Sequence, residues 1–105
     1  MPTINYNKLV RDKIPEIINK SGKTCLWEVF PDDEYINALN TKLLEEAKEY
    51  LEIGTAEELA DIIEVIKAIM EYKGLSEETI EDIRLNKLET RGGFKKRIIL
   101  RSVDE

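Results

Sequence analysis

The sequence predicts a mainly α-helical fold, an antiparallel helical bundle completed by oligomerisation. Three observations carry this reading. Apolar residues recur at three- and four-residue steps over most of residues 33–91. The stretches that show this period begin at capping residues and stop at glycines. Only two short runs, Thr24 to Phe30 and Ile98 to Leu100, have strand character. A chain of 105 residues is long enough for one core and too short for two, so residues 1–105 form a single domain.

The arm Tyr6-Asn7-Lys8-Leu9-Val10-Arg11-Asp12-Lys13 leads into a short helix from about Asp12 to Lys20. Asp12 is the expected N-cap, Pro15 is tolerated in the first turn, and Gly22 stands near the stop. Thr24 to Phe30 reads as a strand ended by Pro31. Ile98-Ile99-Leu100 is its expected partner in a small two-stranded β ribbon, because a lone strand leaves backbone groups unpaired.

The first long helix is expected from Asp33 to Ile53, capped by Asp32 or Asp33 and stopped by Gly54. Ile36, Leu39, Leu43, Ala47, Tyr50 and Leu51 make its apolar stripe. Asn40 falls on that stripe, to bond across an interface or to meet a base edge. The second helix opens with Thr55-Ala56-Glu57-Glu58, a capping-box sequence, and runs to Lys73 before Gly74. Its apolar residues, Leu59, Ile62, Ile63, Val65, Ile66, Ile69 and Met70, cover an arc wider than one packing partner needs. The third helix starts at Ser76, with Leu75 and Ile80 placed as a hydrophobic staple, and ends at Arg91 before Gly92-Gly93.

Composition removes several kinds of chemistry. The chain has no histidine and one cysteine, Cys25. That excludes Ser-His-Asp and Cys-His catalysis, His-ligated zinc and an internal disulfide. No apolar run reaches the roughly 20 residues of a membrane span, and no secretory leader is visible. A cytoplasmic setting is the expectation.

The net charge of −6 argues against binding a nucleic-acid polymer. The charge is unevenly placed. Residues 41–61 hold seven acids against two lysines, whereas residues 84–101 hold seven bases against one acid. An acidic centre between basic ends is the layout needed to hold a cation beside a polyanion. Charged blocks are also the ordinary dress of solvated helix faces.

Glu45 and Glu49 are four residues apart and Glu46 and Glu49 three, so all three project from neighbouring positions and flank the apolar stripe. Like charges at that spacing repel, and a divalent cation would reverse the sign. Glu58 and Asp61 have the same relation on the next helix. Glu58 has two roles open to it, partner of Thr55 in the capping box or ligand facing the first helix. A short connection makes the two helices antiparallel neighbours, so Glu46, Glu49, Glu58 and Asp61 are expected to converge near one end. Oxygen-only ligation of this kind suits Mg²⁺.

Glu45-Glu46-Ala47-Lys48-Glu49 followed by Glu58-Leu59-Ala60-Asp61 resembles the E-E-x-x-E … E-x-x-D signature of the MazG-like all-α nucleoside triphosphate pyrophosphatases. Tyr6 to Pro15 resembles the opening of the phosphoribosyl-ATP pyrophosphohydrolase-like subgroup. Lys87 with Arg91-Gly92-Gly93-Phe94 resembles the basic, glycine-containing segment that follows the third helix in MazG-type members. The resemblance implies hydrolysis of a nucleoside triphosphate, modified or surplus, to monophosphate and pyrophosphate. It implies Mg²⁺ (or Mn²⁺) held by Glu45 or Glu46, Glu49, Glu58 and Asp61, with Glu46 or Glu49 orienting the attacking water. Lys42, Lys87, Arg91, Lys95, Lys8 and Arg11 are the candidates for substrate phosphate. A homodimer or homotetramer is implied as well. Two alternatives stand beside it: phosphoribosyl-ATP pyrophosphohydrolase of histidine synthesis, and a non-catalytic helical dimer acting as a binding module.

Overall fold

In a computed structural model, which describes residues 2–104, four helices carry the chain. They are α1 (Ile14–Lys20), α2 (Asp32–Ile53), α3 (Ala56–Lys73) and α4 (Glu77–Arg91). The mainly helical fold class is as expected.

The three long helices stop where glycine allows it. Gly54 and Gly74 take left-handed conformations, with φ of 76° and 70°, which an L side chain adopts only under strain. At Gly74 the end is fully bonded: Gly74 N donates to Glu71 O and Leu75 N to Met70 O, the paired bonds of a Schellman motif. The starts follow the sequence less evenly. The Thr55–Glu58 capping box forms, and Ser76 Oγ accepts from Thr79 N. Asp12 is not a cap: Lys13 holds that place in α1 and makes no side-chain cap bond. Pro31 likewise precedes α2, placing Asp32 and Asp33 inside its first turn. There they oppose the positive end of the helix dipole without accepting a cap bond.

Only Gly54 and Thr55 separate α2 from α3, so the helices turn back on each other. Their far ends confirm the antiparallel pairing. The Tyr72 hydroxyl at the end of α3 donates to Asp32 O at the start of α2, 3.4 Å away. The Tyr35 and Tyr72 rings meet edge to face with centroids 5.7 Å apart. Between them lies a small core of Leu39, Val65 and Met70.

The β ribbon does not form within the chain. Residues 22–31 and 97–104 run without regular structure, and no described residue belongs to a strand. Strand propensity cannot by itself supply a paired edge, and Leu26 and Val29 stand in solvent where a sheet partner would be needed. α4 buries none of its residues.

The result is an elongated chain. Its radius of gyration is 18.7 Å, against about 13 Å for a compact domain of this length. Leu59, Ile63 and Ile66 on α3, and Ile83, Leu85 and Leu88 on α4, are all exposed. The wide apolar arc read from α3 is therefore real, and its own chain covers only part of it.

Candidate metal centre

The site is built on the second half of α2. Helical spacing places Glu45, Glu46 and Glu49 on adjoining positions, and one carboxylate oxygen from each lies within 4.8 Å of the others. Glu46 is the inward member, 6% exposed; Glu45 and Glu49 are half-buried. Lys42, one turn earlier, reaches Glu46 Oε1 at 3.1 Å and Glu45 Oε1 at 3.4 Å. Glu46 Oε2 has no hydrogen-bond partner although it is buried. A buried carboxylate oxygen left unbonded is costly. A cation is one group that would satisfy it.

The neighbours perturb one another. Repulsion from the Glu46 carboxylate pushes the Glu49 carboxyl above the usual range, and the bond that a protonated Glu49 would give Glu46, burial and Glu45 add to the same side. Burial also works against ionised Glu45, but its bond to Lys8 and the charges of Lys42 and Lys8 outweigh it and hold this carboxyl low. Burial disfavours the Lys42 ammonium. The hydrogen bond to Glu46 and the charges of Glu45 and Glu46 more than compensate, raising its pKa.

The other two expected ligands sit differently. Glu58 is the capping-box partner: its Oε1 accepts from Thr55 N at 2.9 Å and from Thr55 Oγ1 at 2.7 Å. It is buried, as its place on the apolar arc requires. Asp61 faces the arm, where Arg11 donates to its Oδ1 at 2.6 Å. Neither belongs to the set of three clustered oxygens. Side-chain rearrangement is needed before all five acids share one ion.

Of the candidate phosphate-binding bases, three gather at the acids. Lys42 does so from the same helix. Lys8 donates to Glu45 Oε1 at 3.0 Å, and Arg11 reaches Asp61. Lys87, Arg91 and Lys95 do not: all three are exposed, and none makes an ion pair among the described residues. The arm's two contacts span 37 and 50 residues, so periodicity could not have found them. Asn40 is exposed on α2 instead of lying on the buried stripe.

A groove of about 1410 Å³ opens between the arm, α1, residues 27–30 and the α2–α3 pair. Trp27, Phe30 and Tyr35 give it aromatic walls, and Glu46 and Asp61 line its polar side.

No family model and no solved structure matches the chain. Over 42 residues, 40% of this chain and 43% of the relative, the sequence is 52% identical to an uncharacterized protein of Mycolicibacterium smegmatis. The match therefore covers less than half of that relative's length.

Proposed function

We propose that this chain is a Mg²⁺-dependent nucleotide pyrophosphohydrolase of the MazG-like kind, cleaving a nucleoside triphosphate to monophosphate and pyrophosphate. The observation that carries the reading is the buried, unpartnered Glu46 Oε2 beside Glu45 and Glu49. Three clustered carboxylates with one orphaned oxygen fit a hard divalent cation, which takes oxygen ligands. Bound Mg²⁺ would supply charge neutralisation at the phosphates and a more acidic water.

The chain's own residues supply the rest. Glu46 is fixed on one oxygen by Lys42, so its second oxygen keeps a set direction. Glu46, which lines the groove, and half-buried Glu49 beside it are the two candidates to orient an attacking water. Lys8 and Arg11 bring positive charge to the same face, as a polyphosphate needs. The aromatic walls of the groove offer stacking surface for a base.

A homo-oligomer belongs to the same proposal. The accessible surface is 9973 Å², whereas a folded monomer of 12.2 kDa has about 6,000 Å². The surplus of about 4,000 Å² per chain exceeds the half-share of roughly 1,000–2,500 Å² that each partner of a typical obligate dimer buries, leaving ample surface for association.

The deciding experiment is a panel of ribo- and deoxyribonucleoside triphosphates, oxidised and deaminated analogues and phosphoribosyl-ATP, with and without Mg²⁺. Pyrophosphate released only with Mg²⁺, and lost in Glu49→Gln with helix content unchanged, is the expected result. Turnover of phosphoribosyl-ATP alone would select the histidine-synthesis reading. Equal activity in Glu49→Gln would remove the site assignment. Silence across the panel without metal binding would select the helical binding module, which the exposed apolar faces also suit.

A further inference from the structure

The basic arm lies across the acidic face with its two charges spent on carboxylates. Lys8 Nζ is 3.0 Å from Glu45 on α2, and Arg11 is 2.6 Å from Asp61 on α3. The arm thus ties both helices through side chains alone. The one backbone bond between residues 2–12 and the described chain is local, from Ile14 N to Arg11 O. Asn7, at a φ of 47°, turns the chain just before Lys8, in a region Asn tolerates better than most residues. Leu9 is half-buried and lines a cleft of about 320 Å³ between the arm and α2.

Resting on the metal reading above, we propose that the arm is a strap released by the cation. Lys8 and Arg11 act as counter-ions to Glu45 and Asp61 until a divalent cation replaces them. The arm then swings free of the carboxylates and presents both bases to the phosphates of the substrate.

Three observations support this. First, Lys8 holds Glu45, one of the three clustered carboxylates, and Arg11 holds Asp61 on the neighbouring helix. A divalent cation at the cluster competes with Lys8 for the Glu45 carboxylate and repels the arm's cations nearby. Second, the bases differ in how firmly they are held. The Lys42 side chain is 15% exposed, whereas those of Lys8 and Arg11 are 42% and 57% exposed. Exposed pairs are weak and exchangeable, so the arm yields before Lys42 does. Third, Glu46 Oε2 gives the cation a foothold that the arm does not occupy, so binding starts before Glu45 is surrendered. Once released, the Arg11 guanidinium is a planar fork suited to phosphate oxygens, and Lys8 a point charge.

The test uses the whole chain without nucleotide. Trypsin cleavage after Lys8 and Arg11 is timed with and without saturating Mg²⁺ and normalised to the cut after Lys23. Mg²⁺ affinity is measured by calorimetry for the wild type, for Lys8→Gln/Arg11→Gln, and for Lys13→Gln. Lys13 lies in the same arm and has no ion-pair partner among the described residues. The strap requires cleavage to quicken about threefold or more with Mg²⁺, and the double variant to bind Mg²⁺ about three- to tenfold tighter than Lys13→Gln. Cleavage that is unchanged or slower, or equal affinities in the two variants, would overturn the strap alone. No Mg²⁺ binding in the wild type would overturn the metal reading and the strap together. Both effects without pyrophosphate release would sustain the strap and defeat the pyrophosphohydrolase reading.

Discussion

Lys42 and Glu46 stand one turn apart on α2, and the Lys42 ammonium, 3.1 Å from Glu46 Oε1, satisfies one half of a carboxylate whose other half has no partner. Both side chains are largely buried, 15% and 8% exposed. Lys42→Gln should therefore destabilise the metal-free protein by about 1–3 kcal/mol, the range for a buried polar group that loses its bond. Saturating Mg²⁺ should restore part of that loss. Urea unfolding with and without Mg²⁺ reads both effects, and an unchanged midpoint in the metal-free variant would count against the pairing.

Glu49 makes metal-free stability depend on pH. Its carboxyl is raised in the fold, first by the charge of Glu46 and then by the bond that its protonated form would give Glu46. Between the usual carboxylate range and that raised value, the folded chain binds more proton at Glu49 than the unfolded chain does. Stability contributed by this group thus falls as pH climbs through the interval. Glu49→Gln abolishes the term, so the variant's melting temperature should exceed that of the wild type above the interval. The gap should close at acid pH. Glu45 has the opposite sign: burial opposes its charge, but Lys8 and Lys42 prevail and its carboxyl is lowered. Its stabilising contribution is present above the usual range and is lost as pH falls through the lowered value. A Glu49→Gln melting temperature equal to wild type at neutral pH would contradict the repulsion.

Glu58 separates the two roles its position offers. Its Oε1 closes the Thr55 capping box. Glu58→Gln keeps an acceptor for the Thr55 amide, whereas Glu58→Ala removes it. The alanine variant should lose about 1 kcal/mol of stability and the glutamine variant less than half of that. If Glu58 also ligates Mg²⁺, both variants should lose metal affinity. Unchanged affinity in Glu58→Gln would leave the residue a cap only.

The uncovered faces predict association. Sedimentation at micromolar concentration should show a dimer or tetramer. Ile63→Asp, on the exposed arc of α3 where Ile63 is 54% accessible, should shift the distribution toward monomer while α2 and α3 remain helical. A monomeric wild type would leave the surplus apolar surface without the role given to it.

Helix stops and two of the helix starts were readable because their causes are local. Gly54 and Gly74 needed only a left-handed residue, and the Thr55–Glu58 and Ser76 caps lie within three residues of their targets. Asp12 and Asp32 show the limit of that reasoning: the right residue stood near the end of a helix, but the chain entered the helix one or two residues away from it. Thr24 to Phe30 failed for a related reason, since a strand is a property of a pair of segments. At the site, helical spacing revealed Glu45, Glu46 and Glu49 and their neighbour Lys42. The approach of Lys8 and Arg11 depends on how the arm lies over two helices, and no local rule encodes that. Nor did spacing reveal the Tyr35–Tyr72 contact, although both rings stand at the ends where an antiparallel pair would bring them together.

The two-residue link at Gly54-Thr55 also orders events during synthesis. Residues joined across so short a turn find each other quickly, because closing a small loop costs little chain entropy. α2 and α3 are thus ready to zip together as soon as both have left the ribosome. The arm is made before either helix and must wait: Arg11 lacks its Asp61 partner until that residue has been made, 50 residues later. A segment made before α2 and α3 is consequently placed only after they have paired.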